Sequence, residues 1–379
     1  VEFMAGVMNC DIHLTDKLAI YFEEVRKRLE LPWVPPCVNR SDATFKVVDG
    51  ALVYALGALK NVGVEAMKLI TDGRTVEGVD KPFATLFDLA RRVDLKRVGK
   101  RPLEMLARSG AFDQLDPNRR RVFQALDPLV NYSAAIHEQK ASNQVSLFGE
   151  AGDDLPEPRM LPSDDWLPAE RLTEEFKAVG FYLSGHPLDD YMGPLKRKGV
   201  LTVDEVTAKA EGGALVAKIA GVVAGRQERK SARGNRFAFA QLSDTTGGYE
   251  VTLFSDTLEA AREHLETGSK VVVTVEATME SDQLKLLGRS VTPIDTAVAD
   301  AGSMGLRVFI DEPAAIAAVA GVLEGAPQAI RGRGPVQLCL MDPSLPGEVE
   351  VDLGREFPVT PQIKGAIRSL GGVLEVQEI

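Results

Sequence analysis

Cysteine is scarce in this chain, with Cys10, Cys37 and Cys339 the three among 379 residues. They are too few and too scattered for a disulfide framework, and no Cys-x-x-Cys pair offers a zinc site, which fits a reducing compartment. Histidine is nearly as sparse: His13, His137, His186 and His264 lack metal-ligand spacing, and Cys10 with His13 makes at most half a site. No apolar run approaches the ~18–20 residues of a membrane helix, and the opening VEFMAGVMNC has neither the basic nor the apolar region of a signal peptide. The expected location is therefore cytoplasmic, without membrane partners. A first residue of Val rather than Met predicts a piece cut from a longer chain.

Catalytic strings are missing as well. Neither a phosphate-binding GxxxxGK[ST] nor a GxSxG occurs. The doublets Asp153–Asp154, Asp164–Asp165 and Asp189–Asp190 lie in acidic or turn contexts, not on the apolar strands that would hold two-metal carboxylates rigidly. Glu348, Glu350 and Asp352 alternate along one strand and read as its solvent face. The residues themselves predict a chain that binds and does not catalyse, with no cofactor or metal of its own.

The composition that remains is ordinary: 45% hydrophobic and 26% charged residues, with 34 Gly and 21 Pro, exclude collagen, coiled coil and wholesale disorder. At roughly 100–200 residues per domain the length predicts two to four domains. A net charge of −11 argues against a protein that coats nucleic acid everywhere. The charge is segregated, however. Ten Lys and Arg stand against four acids between Arg91 and Arg121, whereas nine acids stand against Arg159 and Arg171 between Glu150 and Glu175. A phosphate-facing module followed by an acidic, proline-broken, mobile linker at 149–165 is the reading.

Amphipathic helical spacing covers residues 1–31 and stops at Pro32, Pro35 and Pro36. A strand-like stretch at 47–59 follows, helices dominate to about Gln139, and another helix starts near Ala169. Five apolar or alternating runs, at 214–224, 236–243, 250–254, 270–275 and 284–289, read as strands, with a helix at 256–265 between the third and fourth. That order matches an OB-fold barrel. A last unit, 305–379, mixes strands at 306–310, 336–340 and 348–353 with helices at 313–323 and 360–370.

Three constellations point to binding. LGALKNVGVEAMKLI, Leu56 to Ile70, resembles a helix-hairpin-helix, whose hairpin aims backbone N–H groups at a phosphate. Its triplet is Asn61, Val62, Gly63, with Asn, which tolerates a left-handed backbone, where glycine usually stands. A weaker second copy spans 106–126, with Gly110, Ala111 and Phe112 as hairpin and Arg119, Arg120 and Arg121 on the next helix. The alternative is a pair of plain helical corners with solvated charges; the basic island favours duplex DNA, contacted by Lys60, Asn61, Gly63, Lys96, Arg97, Lys100 and the three arginines. In QVSLF, Leu147 and Phe148 are adjacent large apolar residues in a polar segment, and with Gln144 they have the spacing of a sliding-clamp-binding peptide. In the barrel, a loop with Arg226, Arg229, Lys230, Arg233 and Arg236 precedes Phe237 and Phe239. A positive loop beside an aromatic strand is how single-stranded nucleic acid is held, against the alternative that both rings are core. One of the two rings, not both, is expected to face outward, because the turn at Gly234 can disturb the strand.

Together these strings resemble the C-terminal part of the alpha subunit of the bacterial replicative DNA polymerase III. EFMAGVM with TDK, VPPCVN at 34–39, LGALKNVG, RSGAFD at 108–113, QVSLFGE, GFYLSGHPLDDY at 180–191, RGNRFAF and LFSD carry the resemblance in order over nearly the whole chain. It implies a multidomain α+β architecture: the end of the fingers at 1–46, a helix-hairpin-helix and clamp-binding domain at 47–150, an acidic linker and connecting helices at 151–212, an OB fold at 213–296 and a small mixed α/β domain at 303–379. It also implies DNA, the beta sliding clamp and the clamp-loader tau subunit as partners, the last through the terminal domain. The parent enzyme, a DNA-directed DNA polymerase, is expected to use Mg2+ on palm aspartates upstream of this stretch. Two other readings share the modules: a stand-alone DNA-binding adaptor, which an upstream reading frame encoding a palm would exclude, and an error-prone paralogue, expected to lack the clamp peptide or the tail.

Overall fold

The structure, a computed structural model, describes residues 1–76, 78–141, 155–231, 234–281, 283–299, 305–326, 333–341 and 349–379. It divides into two units, Val1–Ser184 and Gly185–Ile379.

In the first unit, α1 (Glu2–Cys10) and α2 (Thr15–Glu23) bury Met4, Met8, Leu18 and Phe22, the apolar positions of their amphipathic spacing. Three short strands follow, β1 (Trp33–Val34), β2 (Lys46–Val48) and β3 (Ala51–Val53), with β3 in the middle. The stretch expected as one strand at 47–59 is thus a hairpin. Asp49 and Gly50 turn it, with φ of 51° and 75°, the left-handed pair that a tight two-residue turn requires. A single helical turn at Leu56–Ala58 leads into α3 (Val64–Arg74), and a two-stranded ribbon, β4 (Thr75–Val76) and β5 (Val79–Asp80), connects to the remaining helices. These are α4 (Leu86–Arg92), α5 (Leu95–Val98), α6 (Lys100–Ser109), α7 (Arg119–Gln124), α8 (Leu126–Ala141) and α9 (Pro168–Val179). One apolar cluster runs through them all, with Tyr54, Leu56, Met67, Leu89, Leu103 and Leu106 fully enclosed.

The acidic stretch departs from expectation. From residue 155 onward it is an extended strap laid on the basic helices, not a free linker. Leu155 and Met160 pack against the core, Glu157 pairs with Arg91, and Asp165 accepts from the Arg120 backbone N–H at 3.1 Å and pairs with Arg171 at 2.9 Å. Opposite charge on the neighbouring helices is the reason: the strap's acids have cations to meet. Residues 149–154 lie outside the described residues.

The second unit holds the barrel. Its strands are β7 (Leu215–Lys230), β8 (Arg236–Ser243), β9 (Gly248–Phe254), β10 (Lys270–Glu280) and β11 (Gln283–Pro293), preceded by α10 (Met192–Arg197), β6 (Val200–Leu201) and α11 (Val203–Ala210). The long β7 pairs with β10 through Leu215–Val222 and with β8 through Val222–Lys230. A register shift between Val223 and Gly225 lets one strand serve both partners, as bulges at barrel corners do. Antiparallel β8–β9 and β10–β11 and parallel β9–β11 complete the circuit of five strands, the OB topology. α12 (Ser255–Ala261), in the expected place between β9 and β10, closes one end with Leu258.

After α13 (Ile294–Ala299) comes a four-stranded sheet in the order β14-β13-β12-β15, from β12 (Leu306–Ile310), β13 (Arg333–Leu340), β14 (Val349–Pro358) and β15 (Val373–Glu378). The helices α14 (Ala314–Gly325) and α15 (Pro361–Arg368) share one core with Leu306, Val308, Ile310, Val336 and Leu338. The mixed α/β expectation holds. Strand β15 was not anticipated, because only Val376 of its six residues is buried and no alternating apolar signal exists.

Asp244, just beyond β8, shows how loops in this fold are fixed. Its buried carboxylate accepts from the N–H of Val203 at 2.6 Å, of Thr246 at 2.7 Å and of Gly247 at 2.9 Å, and from the Thr246 hydroxyl at 2.7 Å. Burial pushes this carboxyl above its ordinary pKa against the pull of those donors. An Asp244→Asn substitution turns an amide NH2 toward donors that have no acceptor left, so unfolding should become easier by about 1–3 kcal/mol; urea unfolding of the two proteins measures this, and equal midpoints would contradict it.

Candidate nucleic-acid interface

Helices α4, α5 and α7 begin at side-chain caps, Thr85, Asp94 and Asn118, each accepting first-turn N–H groups. Helices α3 and α6 begin instead at Gly63 and Gly99, with no side-chain cap. Their first-turn N–H groups are left for an outside acceptor, and an anion at such a helix start gains from both the donors and the dipole.

The first of these starts is the expected hairpin. Asn61 has φ of 59°, the left-handed conformation its amide side chain tolerates, and Asn61 and Gly63 are exposed. Gly57, one turn earlier, is needed for close approach: a Cβ there would sit 2.5 Å from the Ala43 carbonyl oxygen. Lys60 donates its backbone N–H to the Ala178 carbonyl at 2.7 Å and lays its ammonium over the Phe176 ring at 5.5 Å, so the hairpin is anchored on α9.

The second hairpin is not where the sequence pattern put it. Gly110 does adopt the left-handed conformation, φ 81°, but Ala111 and Phe112 are buried, and the Ala111 carbonyl accepts from the Val38 N–H. A core turn cannot present its backbone to a phosphate. The equivalent nearer the surface is Val98-Gly99-Lys100, between α5 and α6, with Gly99 half-buried at φ 93° and Lys100 exposed. It brings together Lys96, Arg97 and Lys100 of the expected set and adds Arg101, all four exposed. Lys96 pairs with Glu138 at 3.4 Å and Lys100 with Asp127 at 2.7 Å, both open to water. Such pairs exchange readily for a phosphate.

The arginine triplet splits. Arg119 is packed over Gly110, clasps Asp113 at 2.8 Å and lies 3.7 Å from the buried Glu175, leaving its side chain 11% exposed. It belongs to the structural frame and not to the surface set. Glu175 in turn accepts from the N–H groups of Leu183 and Ser184 at 2.8 and 2.9 Å, fixing the turn into SGHP. Arg121 is forked onto the buried Asp116 at 2.7 Å. Arg120 alone of the three is exposed, with no acceptor for its guanidinium among the described residues.

The barrel presents a second surface. On β8, Ala238, Ala240 and Leu242 point into the core, so by the pleat Phe237 and Phe239 both point outward. The expectation that one ring faces inward is thus corrected: β8 pairs regularly with β9 from Phe237 to Ser243, and no irregularity flips it. Phe254, opposite Phe237 on β9 and 56% exposed, joins them. The Phe237 ring centroid is 5.4 Å from that of Phe239 and 6.4 Å from that of Phe254, and Arg229 lies 5.5 Å over Phe239. The sequence reading missed Phe254, whose place on this face is visible only once strand register is known. Of the loop cations, Arg226, Arg229 and Lys230 stand on β7 and Arg236 on β8, because both strands run further than their apolar cores suggested. Arg229, Lys230 and Arg236 are exposed; Arg226 pairs with Glu228 at 3.3 Å and donates to the Arg262 carbonyl at 2.9 Å. Arg233 and the clamp-peptide residues Gln144, Leu147 and Phe148 lie outside the described residues.

Among the described residues, no group of three or more His, Cys, Asp or Glu side chains converges on a point where a metal such as Mg2+ could sit. No helix among them is long and apolar enough to cross a membrane. The split between arginines is testable. Arg119→Ala takes the guanidinium from the buried Glu175 and leaves Asp113 only its 3.5 Å pair with Arg171, and should cost on the order of 3 kcal/mol of stability, whereas Arg120→Ala should leave the melting temperature alone and flatten the salt dependence of duplex binding by roughly 0.9 in slope. Identical behaviour of the two variants in melting and salt titration would defeat the assignment.

Comparison with known proteins agrees with this geometry. Residues 30–122 match a helix-hairpin-helix motif family, and residues 217–294 match an OB-fold nucleic acid binding domain family. The first span includes both glycine-started helices and the second nearly the whole barrel. The DNA polymerase III subunit alpha of Caulobacter vibrioides is 37% identical over 100% of this chain and 32% of its own length. That of Vibrio cholerae is 32% identical over 78% of the chain and 26% of its own length, and that of Thermus aquaticus 30% identical over 98% and 29%. The chain therefore spans about a third or less of the relatives it matches. Homology over its entire length, with the helix-hairpin-helix and OB-fold modules in place, makes it a member of the DNA polymerase III alpha subunit family, corresponding to the C-terminal region.

Proposed function

We propose that this chain is the DNA-holding and partner-binding part of a DNA-directed DNA polymerase, a nucleotidyltransferase whose chemistry is carried by residues outside it, so that the chain alone is inactive. Duplex DNA lies across the two hairpins, its phosphates taken by the N–H groups at the starts of α3 and α6 and by Lys96, Arg97, Lys100, Arg101 and Arg120. Contacts of this kind read no bases. Single-stranded DNA lies on the outer face of β8 and β9, with bases stacked on Phe237, Phe239 and Phe254 and phosphates near Arg229, Lys230 and Arg236.

The aromatic face carries this reading. Three rings gather on the outer face of one strand pair, outside the barrel core, and strands 2 and 3 are the face OB folds use. Each base stacked on a ring contributes ~1–3 kcal/mol. Phe237→Ala and Phe239→Ala should therefore each weaken binding of an oligothymidylate by about tenfold while shifting the melting temperature little. Wild-type affinity in both, or unfolding of both, would defeat the single-strand assignment. The acidity of the chain keeps the expected affinity micromolar or weaker, with a fall on added salt.

Partner binding is proposed from the sequence pattern. Gln144, Leu147 and Phe148 occupy a groove on the beta sliding clamp, and the domain at 303–379 meets the clamp-loader tau subunit. Replacing Leu147 and Phe148 together by Ala should cost more than ~2 kcal/mol of clamp affinity, as anchor truncations do. Titration against purified clamp measures it, and unchanged binding would move the site elsewhere in the chain.

A further inference from the structure

A cavity of about 750 Å³ opens between the end of α3, the α4–α5 turn and α8. Leu69, Val76 and Val93 form an apolar wall, and Arg97, His137 and Lys140 stand among the polar lining. Most other charges around it are already engaged. Arg91 is paired with Glu157, Arg92 donates to the carbonyls of Gly73, Arg74 and Lys81 and to Asp88, and Asp94 accepts the first N–H groups of α5. Asp72 is exposed. Beside Asp72 the remaining charges are cations: Lys140 gives its ammonium to the Arg91 carbonyl at 2.9 Å, and the Arg97 guanidinium has no acceptor among the described residues. His137 adds a sharper signal. Its Nε2 is shut off from solvent and has no hydrogen-bond partner among the described residues. A buried ring nitrogen without a partner is costly, and a ligand that meets it recovers that cost.

We propose that this cavity is a binding site for a nucleoside polyphosphate, with phosphates against Lys140 and His137 and the base against Leu69, Val76 and Val93. The volume falls in the ~300–1,000 Å³ range of small-molecule sites. An open hollow with an apolar wall facing Lys140 and His137 suits a molecule with one apolar and one anionic end. A duplex backbone, which is rigid and broad, reaches exposed hairpins more easily than such a hollow.

The test uses the 379-residue chain and ATP as probe, with pyrophosphate and adenosine in parallel, by titration calorimetry. Saturable binding of one ATP per chain is expected, with pyrophosphate at least about tenfold weaker and adenosine weaker still. Lys140→Ala and His137→Ala should each lower ATP affinity by about tenfold, the value of one hydrogen bond to a charged group, and His137→Gln, which keeps a donor and an acceptor, should recover part of it. Lys140 is exposed, so Lys140→Ala tests the site even if His137→Ala unfolds. Unchanged ATP affinity in Lys140→Ala, pyrophosphate binding as tight as ATP, or stoichiometric displacement of ATP by a short duplex would overturn the proposal.

Discussion

The constraint on which the rest of this structure depends is that a buried charge must meet a partner. Glu175, 2% exposed, is enclosed between α9 and the turn that follows, where two backbone N–H groups and the Arg119 guanidinium surround it. Arg121 does the same for the buried Asp116, and Arg74, 5% exposed, donates to the carbonyls of Val38 and Ser41 and to Asp42. Removing one member of such a set leaves an uncompensated charge in low dielectric. The cations of the basic island therefore divide into two groups by burial, and only the exposed group can exchange its partner for a phosphate.

That division explains what could be read beforehand. The module order, the OB topology, the first hairpin with its left-handed Asn61 and the mixed terminal domain were all legible, because each rests on local patterning of apolar residues, glycine and asparagine. The second hairpin was misplaced by pattern alone. Gly110 and Gly99 both carry positive φ, and nothing local distinguishes a turn that packs against Val38 from one that faces water. The triplet Arg119, Arg120, Arg121 reads as one charge run, yet its first and last members find acids six and five residues back. Which arginine finds an acid is a tertiary fact.

The barrel obeys a simpler rule with the same lesson. Alternation on β8 puts small residues, Ala238 and Ala240, inside, where Leu253, Val251 and Val273 crowd the core, and the large rings outside. Sequence reasoning weighed the rings as core because large apolar side chains usually are. The period of two was present in the sequence but not which parity faces in; the alanines settle it, since a barrel this narrow fills with small and branched residues. Phe254 needed more, namely the register that sets β9 against β8.

The acidic strap bears on how strong the proposed DNA contacts can be. A uniformly basic face would draw any polyanion from a distance, but Glu157 and Asp165 of the strap neutralise Arg91 of α4 and Arg171 of α9. With a screening length near ~8 Å at physiological ionic strength, charges beyond the immediate contact contribute little. Any attraction for a polyanion is then confined to the two hairpin starts and their exposed cations, so the duplex proposed to lie there would be held by a few local contacts. A net charge of −11 is consistent with that arrangement, in which a few placed donors and not a field would supply the proposed affinity.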